Sequence, residues 1–92
     1  MTETLFKRKI DVETAPLQND SIVFHPGQNR FCILNRTSSF IWQRLESPAT
    51  PAMIATELSS SFAGITPADA LQDVQQALST LLSLDLVVET SM

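Results

Sequence analysis

Residues 30–45 read RFCILNRTSSFIWQRL, and the stretch changes character at Asn35. Up to Leu34 it is apolar and carries the aromatic and β-branched residues of a strand. Asn35 is a good N-cap, and after it Phe40, Ile41, Trp42 and Leu45 supply the apolar side of a helix. The reading turns on what the strand's two faces are for: the core, or a partner.

The segment before it answers half of this. SIVFH (residues 21–25) is a second apolar strand, separated from RFCIL by PGQN, whose Pro26, Gly27 and Asn29 are turn formers. A β-hairpin with a four-residue loop follows. Pairing His25 with Arg30 sets Phe24 beside Phe31, Val23 beside Cys32 and Ile22 beside Ile33. One face then holds Ile22, Phe24, Phe31 and Ile33, the other Val23, Cys32 and Leu34. A hairpin with one wet side alternates with polar residues, so this pattern predicts cover on both faces.

Working outward, KIDVETA alternates weakly around Ile10 and Val12 and predicts a short edge strand. Residues 1–9 lack periodicity and read as a flexible N-terminal arm, leaving residues 10–90 as a single domain. Downstream, Thr50 and Pro51 form an N-cap and N1 pair that starts a second helix. Its stripe is Ile54, Leu58 and Phe62, and Gly64 suits a left-handed position beyond its end. Thr66 and Pro67 repeat the start signal, with Asp69 at N3 favoured by the helix dipole. The third helix runs to about Leu84 with Leu71, Val74, Leu78 and Leu81 on one face, and LVVE closes as a short extended segment. The fold expected is α+β and winged-helix-like: a three-stranded antiparallel sheet followed by three helices.

Composition narrows the function. At 92 residues and 43% hydrophobic, the chain suits one small core. Its single cysteine allows no internal disulfide, which points to a reducing cytoplasm. It has neither an apolar run of membrane-spanning length nor a secretory signal. Two glycines cannot build a Gly-rich phosphate loop. His25, the lone histidine, reads as a solvated residue at the strand end, and with Cys32 it makes no zinc set. Cys32 reads as a small buried hydrophobe rather than a nucleophile. Asp69 and Asp73 have no base partner and read as a solvated face. No catalytic constellation, metal site or cofactor is implied.

Charge weighs the remaining readings. All six bases lie within the first 44 residues beside four acids; from Leu45 onward there are six acids and no base. A winged-helix DNA-binding protein needs cations on its reading helix, whereas residues 67–84 offer Gln72, Gln75 and Gln76 among acids. That field repels nucleic acid. The other reading is β-augmentation, in which strand 30–34 lies at an open sheet edge and takes an extended guest. A plain dimerisation module, with the edge paired to a second copy, uses the same feature. The pattern alone leaves open whether the strand's side chains are all core or are shared with a guest.

The ordered set SIVFHPGQNRFCILNRTSSFIWQRLESPATPAMIATELSSSF…DVQQALSTLLSLDLV resembles the PqqD-like family, recognition elements for ribosomally made, post-translationally modified peptides. The resemblance covers roughly residues 20–88. It implies a three-stranded antiparallel sheet packed on three helices and a non-catalytic role without cofactor. Members bind the leader segment of a precursor peptide as an added strand, with the third helix as the other wall. They present it to a modifying enzyme such as a radical SAM enzyme, a cyclase or a leader peptidase. Carried onto this chain, the site is Arg30, Phe31, Cys32, Ile33 and Leu34 on the strand, with Asp73, Gln76, Ala77 and Thr80 on the helix. Arg30 and Arg36 would steer acidic leader residues. Neither nucleic acid nor membrane is an implied partner. Two departures stand out: Asp85 replaces the usual Gly near the third helix's end, which predicts a different ending, and the hairpin turn lacks the family's acids.

Overall fold

The computed structural model describes residues 4–18, 20–27 and 29–91. The elements run β1 (Thr4–Arg8), β2 (Glu13–Leu17), β3 (Asp20–His25), β4 (Arg30–Leu34), α1 (Arg36–Arg44), α2 (Pro51–Ser61), α3 (Pro67–Ser83) and β5 (Val87–Ser91). β2, β3 and β4 make an antiparallel sheet in that order. The α+β class, the three-stranded sheet and the three helices are as expected. A second sheet, β1 with β5, is an addition.

The hairpin has the expected register, with Ile22 opposite Ile33, Val23 opposite Cys32, Phe24 opposite Phe31 and His25 opposite Arg30. Its inner face is sealed by α1. Val23 and Leu34 are buried, Ser39 donates its hydroxyl to Leu34 O at 3.2 Å, and Trp42 Nε1 donates to Thr14 Oγ1 at 2.8 Å. His25 shares this face with Val23 by strand alternation and is buried, not solvated. Its Nδ1 meets no hydrogen-bond partner among the described residues. The outer face differs: Phe31 and Ile33 are 65% and 59% exposed, so cover on both sides is not what forms.

Two expectations at the N-terminal end are corrected. The edge strand is β2, which begins at Glu13, four residues beyond the start of KIDVETA at Lys9, and Ile10 lies in solvent before it. Pro16 is tolerated in β2 because an edge strand can spare an N–H. Within the arm expected over residues 1–9, Thr4–Arg8 is a strand; residues 1–3 lie outside the described residues. β1 is held on both edges. It pairs with β5 from Thr4 opposite Ser91 to Arg8 opposite Val87. On its other side Phe6 exchanges two backbone bonds with Ala49, and Arg8 N donates to Leu45 O at 3.1 Å. The Arg8 guanidinium lies 4.8 Å from the Trp42 ring centroid and donates to Trp42 O at 2.9 Å.

The helix starts follow their caps. Asn35 Oδ1 accepts from Ser38 N at 2.9 Å, Thr50 Oγ1 from Met53 N at 3.2 Å, and Thr66 Oγ1 from Asp69 N at 3.1 Å. The core of the helical layer is Ile41, Trp42, Leu45, Ile54, Leu58, Val74, Leu78 and Leu81. Ala70 takes the buried place expected of Leu71, which is only half-buried. The end of α3 does not depart as Asp85 suggested. Asp85 adopts the left-handed conformation at φ 61°, its N–H bonds to Leu82 O and that of Leu86 to Leu81 O, the paired bonds of a glycine-type C-cap. A 2.6 Å bridge to Lys9 holds its carboxylate and ties the small sheet to the helix end. Among the described residues no helix is long and apolar enough to cross a membrane.

Candidate functional site

The three-stranded sheet has two edges, and they are not alike. β2 carries Pro16, which removes a donor and discourages further pairing. β4 has no proline, and among the described residues no strand pairs with its outer side. Alternate residues of such an edge turn their N–H and C=O groups outward, ready to bond another chain.

Across from β4 stands α3, and between them lies an open cleft of about 420 Å³. Seven of the nine residues singled out from the sequence line it: Cys32, Ile33 and Leu34 from the strand, and Asp73, Gln76, Ala77 and Thr80 from the helix. Arg30 and Phe31 do not. Arg30 stands exposed at the start of β4, and Phe31 points to the outer sheet face. Arg36 is also outside the lining; its guanidinium lies 5.3 Å from the Phe62 ring centroid. The helix spacing explains the α3 set: Val74, Leu78 and Leu81 face the core, so 73, 76, 77 and 80 form the flank beside them.

The cleft also takes Asn35, Thr37, Ser38, Ile41 and Leu81, which the sequence reading did not place there. Asn35 was legible as a cap, but nothing local says that the capped turn closes one side of the cleft. Its Oδ1 accepts from both Ser38 N and the Thr37 hydroxyl, so the turn is held in one conformation. Ile41 and Leu81 supply a buried apolar floor, and the walls are mostly uncharged and polar. Two opposed fields meet here: the positive dipole end of α1 on one side and the Asp73 carboxylate on the other. Cys32 is half-buried, and burial pushes its thiol pKa up, which keeps it protonated and weakly nucleophilic. Among the described residues no three His, Cys, Asp or Glu side chains gather to hold a metal ion.

A larger hollow of about 550 Å³, lined by Lys7, Arg8, Lys9, Ile10, Glu46 and Val88, sits beside β1. It lacks the feature that matters, because both edges of β1 are already occupied.

These features define a class: a small α+β domain whose sheet ends in an unpaired strand set across a cleft from a helix. The chain belongs to the PqqD family, Coenzyme PQQ synthesis protein D, whose family model matches residues 9–87. No curated protein matches it. Two solved structures share the fold, each with a TM-score of 0.77. One is TbiB1 in complex with the TbiA(beta) leader peptide, 20% identical, the match covering 88% of this chain and 93% of that one. The other is a lasso peptide synthetase B1 complexed with the leader peptide, 22% identical over 90% of this chain and 96% of that one.

Proposed function

We propose that this protein is a non-catalytic binding protein of the cytoplasm. It captures the leader segment of a ribosomally made precursor peptide by strand addition to β4 and presents it to a modifying enzyme. That enzyme is one such as a radical SAM enzyme, a cyclase or a leader peptidase. The observation that carries the reading is the open β4 edge facing the α3 flank across a cleft. Family membership and two like-folded proteins complexed with leader peptides support it.

The mechanism follows from strand geometry. Main-chain bonds to β4 supply register and most of the sequence-independent affinity. Guest side chains then alternate between two surroundings. One set enters the cleft beside Cys32, Leu34 and the small Ala77, with Asp73, Gln76 and Thr80 along the helix. The other set lies beside Phe31 and Ile33 on the sheet's outer face. Arg30, exposed at the strand's start and turned by alternation to the opposite side from Phe31, meets an acidic guest residue. A one-residue slip exchanges the two sets, so the alternation of the leader matters more than its total hydrophobicity. Ordering a flexible leader costs free energy, which sets the affinity near micromolar or somewhat tighter, about −8 kcal/mol at the micromolar end.

The test is an NMR titration of the labelled protein with the precursor peptide encoded beside its gene. Shifts are expected in residues 30–34 and in Gln76, Ala77 and Thr80. Unmoved resonances across strand 30–34 at saturating peptide would sink the mechanism. Light scattering at several protein concentrations separates guest capture from a homodimer paired through the same edge.

A further inference from the structure

The sheet has a second face, which strand addition leaves open. Ala15, Leu17, Ile22, Phe24, Phe31 and Ile33 share it, because the register sets Ala15, Ile22 and Ile33 in one row and Phe24 and Phe31 in the next. The helices pack on the opposite side, through Thr14, Ser21, Val23 and Leu34. Leu17, at 44% exposed, joins Phe31 and Ile33 as a large apolar side chain in water. A contiguous apolar face of this kind on a small protein marks a surface where something docks.

Charge and continuity say what docks there. Among the described residues of the three strands, the charged positions on this face are Glu13, beside Phe24, and Asp20, beside Leu17, at opposite ends of β2 and β3, and no base shares it. A complementary partner is apolar at its centre and carries Lys or Arg at its rim. A second copy of this chain brings the same two acids and no cation, so it matches poorly. Continuity is the other argument. Ile33 lines the cleft and also belongs to this face. A strand added to β4 extends the same surface by one row, with its outward side chains beside Phe31 and Ile33.

We propose that this face docks the enzyme that modifies the captured peptide, through an apolar patch rimmed with Lys or Arg. The proposal rests on the peptide-capture reading. The enzyme then touches carrier and guest on one surface, so each strengthens the binding of the other by the same factor.

The experiment uses the full chain, the precursor peptide and the purified modifying enzyme encoded beside the gene, with calorimetry for each pair. Leu17→Lys and Glu13→Lys alter exposed positions on β2, at the sheet edge away from the cleft. Peptide affinity should stay within about twofold in both, whereas enzyme affinity should fall by about tenfold or more with Leu17→Lys and severalfold with Glu13→Lys. Intact peptide capture with unchanged enzyme affinity in both variants overturns the docking face alone. Failure of the unaltered protein to bind the peptide overturns the capture reading instead. A dimer that Leu17→Lys dissolves, seen by light scattering, assigns the face to a second copy and overturns the proposal.

Discussion

Trp42 donates its indole N–H to the hydroxyl of Thr14 at 2.8 Å, and this bond joins the first helix to the edge strand farthest from the cleft. The ring itself is buried, with the Arg8 guanidinium stacked upon it. Trp42 therefore fixes three elements at once: α1, β2 and β1. Thr14→Val keeps the shape and removes the acceptor, leaving a donor without its partner. Stability should fall by about 1 kcal/mol. Urea unfolding followed by the fluorescence of this single tryptophan measures it.

Asn35 is expected to serve stability and binding together. Asn35→Ala removes the acceptor for Ser38 N and should cost about 1 kcal/mol. The same change frees the turn that closes the cleft, so leader affinity should drop with it. Asn35→Asp keeps the cap and should restore stability. If the Asp variant also recovers full peptide affinity, the cap geometry rather than the amide is what the guest needs.

Ala77 offers a cleaner separation of the two. It is half-buried on the cleft side of α3, so a large side chain there fills space that the fold does not use. Ala77→Trp should leave thermal stability within about 1 kcal/mol, the size of a helix-propensity change. It should weaken the leader peptide by about tenfold or more if the guest occupies this volume, since a filled cleft excludes the buried anchors that carry most binding energy. Fluorescence anisotropy of a labelled leader gives the number.

Cys32 reports occupancy of the cleft without any mutation. Burial raises its pKa, so its thiol should alkylate more slowly near pH 8 than an exposed cysteine. Saturating leader peptide should slow it further if the guest enters the cleft that this residue lines. The same shift has a sign for stability. The folded thiol holds its proton to higher pH than the unfolded one, so this contribution is present below the unfolded pKa and is lost as pH rises past it. Mass spectrometry over a pH series gives the rates, and equal rates with and without peptide would place the guest elsewhere.

How far the sequence could be read depends on whether a signal was local. The hairpin register and the three N-caps come from residues adjacent in the chain, and each is found where the pattern sets it. β1 escaped notice because its partner is at the other end of the chain, and TLFKR has no alternation of its own to betray a strand. Ile10 and Val12 misled in the opposite way, since an apolar alternation that ends in a turn is not a strand. His25 follows Val23 inward although it adjoins the turn, so alternation outweighed the hydrophilicity of the side chain. Asp85 shows the limit of residue preference: the backbone bonds of the cap and the bridge to Lys9 hold a conformation that glycine would take more cheaply. Asn35 was visible as a cap, but its place on the cleft wall depends on how α1 is set against α3, which no local pattern encodes.

The pairing of Thr4 with Ser91 has a practical consequence for protein engineering. Opposite residues in an antiparallel ladder lie about 5 Å apart, so a linker of a few glycines and serines can close residue 91 onto residue 4. New ends can then be opened at Gly64, in the exposed connection between α2 and α3. Such a circular permutant leaves the hairpin, its outer face and the β4 edge uncut. Both joints of that linker, at residues 4 and 91, lie on the small sheet rather than on the sheet whose edge is open.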